Sequence, residues 1–291
     1  MKCLVTGASG FLGRAVAQRL AGTHAVTRQS FRTETPSCIR VDLRDPEQLR
    51  TLLGSVAPDI VVHAAAYRDP DFCEQHPEET RRLNVTPIQT MARELPPTTK
   101  LIFISSDYVF DGEAPPYAEC SPRRAISAYG QSKIEGEDMA LTHPSAVVLR
   151  IPLLIGAGPS LETSGFIGQL VHTVRDKTPC RQDHVLRRYP TWIRDVAEAV
   201  AFLAEGHASG PYHLSGPAPL TRYETARRTA AILNETDAHI SPSDAIIPRV
   251  APRPRDSALS TERLRALGFN RSTDFDTVLR RTLDELHLEH R

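Results

Sequence analysis

Tyr129 and Lys133 are the residues of this 291-residue chain whose types and spacing offer chemistry most directly. Four residues apart on a helix, two side chains lie on one face. Free tyrosine titrates near pH ~10, and a neighbouring ammonium favours the phenolate. A phenol beside a lysine can therefore act as a proton donor closer to neutral pH. Lysine is scarce here: Lys2, Lys100, Lys133 and Lys177 are the only ones among 35 basic residues. Upstream, the apolar run Leu101-Ile102-Phe103-Ile104 reads as a buried strand that delivers Ser105, Ser106 and Asp107 to its end.

Other elements must place these groups. Lys2-Cys3-Leu4-Val5-Thr6 is a short apolar strand, Gly7-Ala8-Ser9-Gly10-Phe11-Leu12-Gly13 a glycine turn, and an amphipathic run to Leu20 a helix. Strand, glycine turn and helix form a dinucleotide phosphate site. Gly7 permits the turn, Gly10 the approach of a pyrophosphate, and Gly13 close helix–strand packing. The helix N-terminus adds N–H groups and a positive dipole end. The second strand is expected at residues 24–27. No acidic residue stands at its end to take a ribose 2′-hydroxyl; Arg28 and Arg32 stand there instead, which favours NADP over NAD.

A third strand at 39–41 leads to Asp42-Leu43, and Asp45-Pro46 starts a helix to about Leu53. A fourth strand at 60–62 ends in His63-Ala64-Ala65-Ala66, small residues over which a dinucleotide can lie; His63 reads as a packed strand-end residue. A helical region with Asn84 on it follows towards Arg93, with a break near Pro87. The acidic residues at 69–74 suit helix capping rather than a metal. Residues 146–150 are another strand. Strands separated by helices predict an α/β fold, a Rossmann-type doubly wound parallel sheet with ligands beyond its strand ends. Residues 1–158 form the dinucleotide-binding domain, with 190–206 packing back on it; 159–189 and 207–291 form a smaller substrate-binding lobe. Two short helices close the chain.

Composition sets limits. With 40% hydrophobic and 24% charged residues the chain is globular. A formal net charge of zero gives no electrostatic case for nucleic acid or an anionic membrane. No apolar run approaches the length of a membrane span, and a strand starting at Lys2 leaves no room for a signal peptide. Five scattered cysteines without C-x-x-C spacing point to reduced thiols in the cytoplasm, with neither a disulfide framework nor zinc.

GASGFLG at the N-terminus, the Ser106 region, Tyr129-x-x-x-Lys133 and PTWIRDVAEAV resemble the extended short-chain dehydrogenase/reductases. Ser105-Ser106-Asp107-Tyr108-Val109-Phe110-Asp111-Gly112 and Arg253-Pro254-Arg255-Asp256-Ser257-Ala258-Leu259 resemble the dTDP-4-dehydrorhamnose reductase branch within them. That branch also contains the regulatory beta subunit of methionine adenosyltransferase, to which His24-Ala25-Val26 and Arg188-Tyr189-Pro190-Thr191 are similar. Ser105-Ser106-Asp107 replaces the usual Ser-Thr-Asp, and Ala125-Ile126-Ser127 the usual Pro-Leu-Asn. Arg123 and Arg124 stand where they could meet a substrate phosphate or simply be solvated.

The resemblance implies NADPH-dependent reduction of a keto group on a nucleotide-linked deoxysugar. Tyr129 is then the general acid, Lys133 lowers its pKa and holds the nicotinamide ribose, and Ser106 hydrogen-bonds the carbonyl oxygen. A tyrosine pKa near 7 needs about 4 kcal/mol, large for one lysine, so a cationic cofactor ring would contribute. The candidate cofactor contacts are Gly7, Ser9, Gly10, Phe11, Leu12, Gly13, Arg28, Arg32, Asp42, Leu43, Ala64, Ala65, Ala66, Asn84, Ser105, Tyr129, Lys133 and Ile151. The candidate substrate contacts are Asp107, Val109 and Arg255. Two other readings stand beside this one. In the first, an NADP-binding regulatory subunit docks on an enzyme partner. In the second, the chain is an epimerase or dehydratase with tightly held NAD; Glu119 and Asp107 are near in sequence, but their spacing does not establish the acid/base pair a dehydratase needs. A homodimer is compatible with each.

Overall fold

The computed structural model describes residues 1–31 and 38–288. The first half runs β1 (Lys2–Thr6), α1 (Phe11–Leu20), β2 (Ala25–Ser30), β3 (Ile39–Arg40), α2 (Pro46–Val56) and β4 (Ile60–His63). Three helices follow, α3 (Pro70–Gln75), α4 (Pro77–Asn84) and α5 (Thr86–Glu94), then β5 (Lys100–Ser106), α6 (Ala128–Ala140) and β6 (Ala146–Ile151). The second half holds β7 (Leu154–Ile155), α7 (Gly165–Asp176), β8 (Cys180–Asp183), β9 (Thr191–Trp192), α8 (Ile193–Glu205) and β10 (Gly210–His213). It ends with α9 (Arg222–Ile232), β11 (Ile240–Ser243), α10 (Glu262–Ala266) and α11 (Phe275–Glu285).

Seven parallel strands form the main sheet in the order β10-β6-β5-β4-β1-β2-β3. The strand order reverses between β1 and β4, which opens a crevice at their C-terminal ends. Alternation along each strand sorts the core into two layers. Ile102 and Ile104 of β5 pack with Val16 of α1 and Val196 and Val200 of α8. Leu101 and Phe103 point the other way, into a cluster with Leu49 and Leu52 of α2 and Met91 of α5. Strands covered on both faces need apolar residues at every position, which is why β5 stands out in the sequence.

Local chemistry sets the boundaries. Asp45 caps α2, accepting from the Glu47 and Gln48 N–H groups, and Pro46 takes the first turn. The helix continues past Leu53 to Val56 and stops at Ala57 in the left-handed region, φ 43°. The expected helical region after Asp69 is three helices, each with proline in its first turn, broken at His76 and again at Val85. β2 extends to Ser30 rather than ending near Thr27. Arg28 therefore lies inside the strand, level with Val5, and not at its end. Gln29 holds that extension: its carbonyl takes the Ala8 N–H at 2.9 Å and its side chain the Gly7 N–H at 3.0 Å. Arg32 lies outside the described residues. β10 completes the main sheet beside β6 although it falls within the 207–291 range expected to belong to the smaller lobe. Outside that sheet, β8 pairs with β11 and β7 with β9.

Two glycines decide the geometry of the turn after β1. Gly7 has φ +65°, and a Cβ there would lie 2.8 Å from the Ala65 backbone. A Cβ on Gly13 would lie 2.2 Å from the Gly7 carbonyl oxygen, which is backbone and cannot swing aside. Gly13→Ala is therefore expected to cost roughly 1–3 kcal/mol through overpacking and to weaken dinucleotide binding in parallel. Thermal denaturation and cofactor titration check this, and a variant with unchanged Tm would refute the packing argument.

Candidate functional site

The C-terminal ends of β1, β4 and β5 meet at the crevice. Gly10, in extended backbone, is the N-cap of α1 and provides no side-chain cap. The first-turn N–H groups thus face an open mouth where Ser9 and Gly10 are exposed. Below the turn, the Gln29 side chain bridges the Gly7 N–H and the Val41 carbonyl, the latter at 2.7 Å. Ala64, Ala65 and Ala66 continue from β4, half-buried. A close backbone approach, uncapped helical N–H groups and small side chains fit a dinucleotide pyrophosphate.

At the end of β5, the Ser106 hydroxyl donates to Asp107 Oδ1 at 3.0 Å and accepts the Tyr108 N–H at 3.2 Å. Asp107 is buried, and its Oδ2 accepts the hydroxyl of Ser257 from far along the chain. Burial pushes its carboxyl above the ordinary range against the pull of Ser257 and of Arg188. Tyr129 stands edge-on to Tyr108, ring centroids 5.5 Å apart. Burial pushes the Tyr129 phenol up as well, and Ser106 pulls it down by less. Lys133 Nζ donates to the Ile104 carbonyl at 3.0 Å and lies 5.9 Å from the Tyr129 ring centroid. Its own pKa is pushed down to about 8 by burial, with Cys73 and Glu137 opposing. Desolvation, and not Lys133, therefore sets the direction of the Tyr129 shift. The phenol keeps its proton at neutral pH, the state a proton donor requires.

Several residues expected to contact ligands also make bonds within the protein. Asn84 Nδ2 donates to the Tyr67 carbonyl and to Ser132 Oγ, both at 3.0 Å, and Oδ1 accepts the Tyr67 N–H at 2.8 Å; it clamps α4 to α6. Ser105 Oγ donates to Glu137 at 2.5 Å. Val109 is fully buried against Phe110, Tyr117 and Leu259. Leu43 and Ile151 belong to the core. Arg123 pairs with Glu137 and Asp138, while Arg124 is exposed. Asp69 caps α3, and Asp71 accepts from the Ala251 N–H and pairs with Arg253. His63 shares a 2.7 Å hydrogen bond with Thr6 and is held neutral, its pKa pushed to about 3 by burial and then by Lys133. Glu119 sits among Arg263, His213 and Arg150, whereas Asp107 sits among Ser257, Arg188 and Ser106; the two carboxyls share no such neighbour. Arg255 lines a cleft of about 720 Å³ with His184, Arg187, Thr221, Glu224 and Asp256.

The sequence reading missed the pair that seats α6. Glu137, one turn after Lys133, is fully buried and takes both Nε and Nη2 of Arg150, at 2.8 and 2.7 Å. The available signal was Arg150 itself, a lone charge closing the apolar run Ala146–Leu149. Ser127, unexplained by the family pattern, is the N-cap of α6.

Lys133 carries a stability consequence. Between pH 8 and about 10.4 the unfolded chain binds a proton at this position that the folded chain does not. Its contribution to stability therefore rises with pH through that window, and below pH 8 the buried ammonium is a burden. Lys133→Met is expected to raise the Tm of the cofactor-free protein at pH 7 and to flatten its pH dependence between 8 and 10. A lower Tm at pH 7 would show that the Ile104 hydrogen bond outweighs desolvation.

The RmlD substrate binding domain family matches residues 1–288. The chain is 34% identical to a Danio rerio protein named methionine adenosyltransferase 2 subunit beta, over 97% of this chain and 90% of that protein. It is 32% identical to a Streptomyces antibioticus protein named "Probable dTDP-4,6-dihydroxy-2-methyloxan-3-one 4-ketoreductase", over 100% of this chain and 97% of that one. Among solved structures, a dTDP-4-dehydrorhamnose reductase from Clostridium acetobutylicum superposes with a TM-score of 0.87 at 25% identity, covering 99% of this chain and 100% of that chain.

Proposed function

We propose, because this chain belongs to the RmlD substrate binding domain family within the extended short-chain dehydrogenase/reductases, that it reduces a keto group on a nucleotide-linked deoxysugar with NADPH. The observation that carries this reading is the convergence of Ser106, Tyr129 and Lys133 beyond β5, next to the glycine turn of β1. The named activities of the Streptomyces antibioticus and Clostridium acetobutylicum proteins support the substrate class.

A reduced nicotinamide held along Ala64–Ala66 and Lys133 would supply hydride to the carbonyl carbon. Tyr129 gives its phenolic proton to the carbonyl oxygen, so that C=O becomes CH–OH. Ser106 hydrogen-bonds that oxygen as charge develops. Lys133 holds the nicotinamide ribose and, once the phenol has given up its proton, faces a phenolate that it stabilises. Asp107, linked to Ser257, orients the Ser106 hydroxyl. The arginine-bearing cleft at Arg187 and Arg255 takes the nucleotide diphosphate, with residues 159–189 and the part of 207–291 outside the main sheet as the substrate lobe. NADP is preferred to NAD because no acidic side chain stands at Gln29-Ser30-Phe31. The unpaired cysteines suit the cytoplasm; no helix among the described residues is long and apolar enough to cross a membrane.

Tyr129→Phe removes only the hydroxyl. Turnover of dTDP-4-dehydrorhamnose, followed as NADPH absorbance, is expected to fall about 10²–10⁴-fold with NADPH affinity unchanged; undiminished turnover sinks the mechanism.

A second reading is favoured by one observation, the 34% identity to the Danio rerio subunit beta along nearly the whole chain. In it the chain holds NADP and docks on a methionine adenosyltransferase catalytic subunit. Mixing the purified proteins separates the two readings. A stable complex on gel filtration, with no NADPH oxidised on any nucleotide sugar, selects the second; oxidation without a complex selects the first.

A further inference from the structure

The six-residue helix α3 touches both the C-terminal segment that lines the arginine cleft and the helix that carries the phenol. Asp71 Oδ1 accepts the Ala251 N–H at 2.9 Å and pairs with Arg253 Nη2 at 3.1 Å. Arg253 closes that contact by donating from Nη1 to the Ala251 carbonyl at 2.9 Å, and Ala251 is buried. Burial pushes the Asp71 carboxyl up, but the Ala251 N–H, Arg253 and Arg249 together hold it below the ordinary range, so it is ionised at neutral pH. Further along the same helix, Glu74 Oε2 accepts the Ala128 N–H at 2.8 Å. Ala128 is the first residue of α6, and its N–H is one that the helix cannot satisfy itself. The cap residue Ser127 takes the Gly130 N–H instead. Glu74 therefore fixes the start of α6 from outside, one residue before Tyr129. Between its two carboxylates α3 is braced. The Phe72 ring stands between those of Tyr67 and His76, centroids 4.8 and 4.6 Å away. Cys73, fully buried, donates from Sγ to the Tyr67 carbonyl at 3.7 Å.

We propose that Asp71 and Glu74 are positioning residues of the reduction: α3 carries the docking of segment 251–257 to the start of α6 and so sets where the Tyr129 hydroxyl stands. This rests on the reading of Tyr129 as the general acid. Apolar packing alone would let so short a helix slide, whereas each carboxylate fixes a distance to one backbone N–H. The same segment lines the cleft through Arg255 and reaches Asp107 through Ser257. A ligand that engages Arg255 therefore bears on the phenol by one route and on Ser106 by the other. Small displacements matter here, because a general acid works only within hydrogen-bond reach of the oxygen it protonates.

The test is a double-mutant cycle on turnover of dTDP-4-dehydrorhamnose, with NADPH affinity measured by titration and Tm as the check on folding. Glu74→Ala is expected to lower kcat about 10- to 100-fold, as for a misplacement of about 1 Å, and to leave KM for the sugar and NADPH affinity within about twofold. Asp71→Ala lowers kcat by a similar factor and also raises KM for the sugar, because it releases the segment that bears Arg255. The double variant loses no more kcat than the worse of the two. Glu74→Gln, whose amide oxygen still accepts the Ala128 N–H, retains most of the kcat. Where Asp71→Ala does not fold, Asp71→Asn takes its place in the cycle: it keeps an acceptor for the Ala251 N–H and loses the charge that pairs with Arg253. Losses of kcat that multiply in the double variant would mean two separate local effects and overturn the proposal. So would an unchanged kcat in either single variant, or a Glu74→Gln variant as slow as Glu74→Ala. If the unaltered protein binds NADPH but does not turn the sugar over, the reductase reading itself fails and takes the proposal with it, a result distinct from the others.

Discussion

Helix α6 carries both Tyr129 and Lys133, yet it buries a face with no large apolar side chain. Its buried residues are Gly130, Ser132, Lys133, Gly136, Glu137 and Ala140. The apolar share of its packing comes from Ala140 and the partly buried Ile134 and Met139. The helix is held by charge: the Glu137 carboxylate is gripped by Arg150 from β6, by Arg123 from the preceding loop and by Ser105 from β5. Asn84 adds a clamp to Ser132 from the other side. A buried ion pair is weak as a source of net stability, but a directional one admits a single register. One turn of slip would pull Lys133 from the Ile104 carbonyl and Tyr129 from Ser106. Ridges of leucine would have tolerated a range of positions; a carboxylate with three partners does not.

The same burial sets the protonation states. Tyr129 and Asp107 are pushed up and Lys133 is pushed down, all with desolvation as the largest cause. Burial thus favours the neutral form of all three groups. Every one of these shifts disfavours charge, so a ligand that brings charge into the crevice changes all three at once. Stability is given up here to prepare the site, as is general where polar groups are held dry for chemistry.

Much of this was legible in the sequence, and for definite reasons. β5 and β6 are covered on both faces and so read as unbroken apolar runs, and Asp45-Pro46 announces a cap and first turn. The glycine turn is visible because Gly7 and Gly13 admit no Cβ. What escaped was structure with no apolar signature. β8 and β11, Cys-Arg-Gln-Asp against Ile-Ser-Pro-Ser, are mostly polar, and Arg181 and Ser241 add side-chain contacts across the pair. The end of β2 was misplaced by three residues because its last turns are held by Gln29, a polar side chain whose partners lie in the glycine turn. Glu137 and Arg150 escaped because a buried pair joins positions whose closeness only the fold creates. Asn84 and Ser105 carry polar atoms whose bonds to Ser132 and Glu137 of α6 no sequence pattern announces.

The reductase and subunit readings ask different things of these residues. Holding a dinucleotide accounts for the glycine turn, for Ala64–Ala66 and for Lys133. It does not account for the chain of hydroxyls beyond β5. The Tyr129 phenol is desolvated beside Ser106, Ser106 donates to Asp107, and Asp107 is tied to Ser257 from the C-terminal part of the chain. Burying that carboxyl costs free energy that the Ser257 hydroxyl and Arg188 offset only in part. Its geometric effect is to couple the segment 253–257, which lines the arginine cleft through Arg255, to the hydroxyl that would meet a carbonyl oxygen. In the proposed reduction this would tie the C-terminal segment to the hydroxyl that meets the carbonyl oxygen.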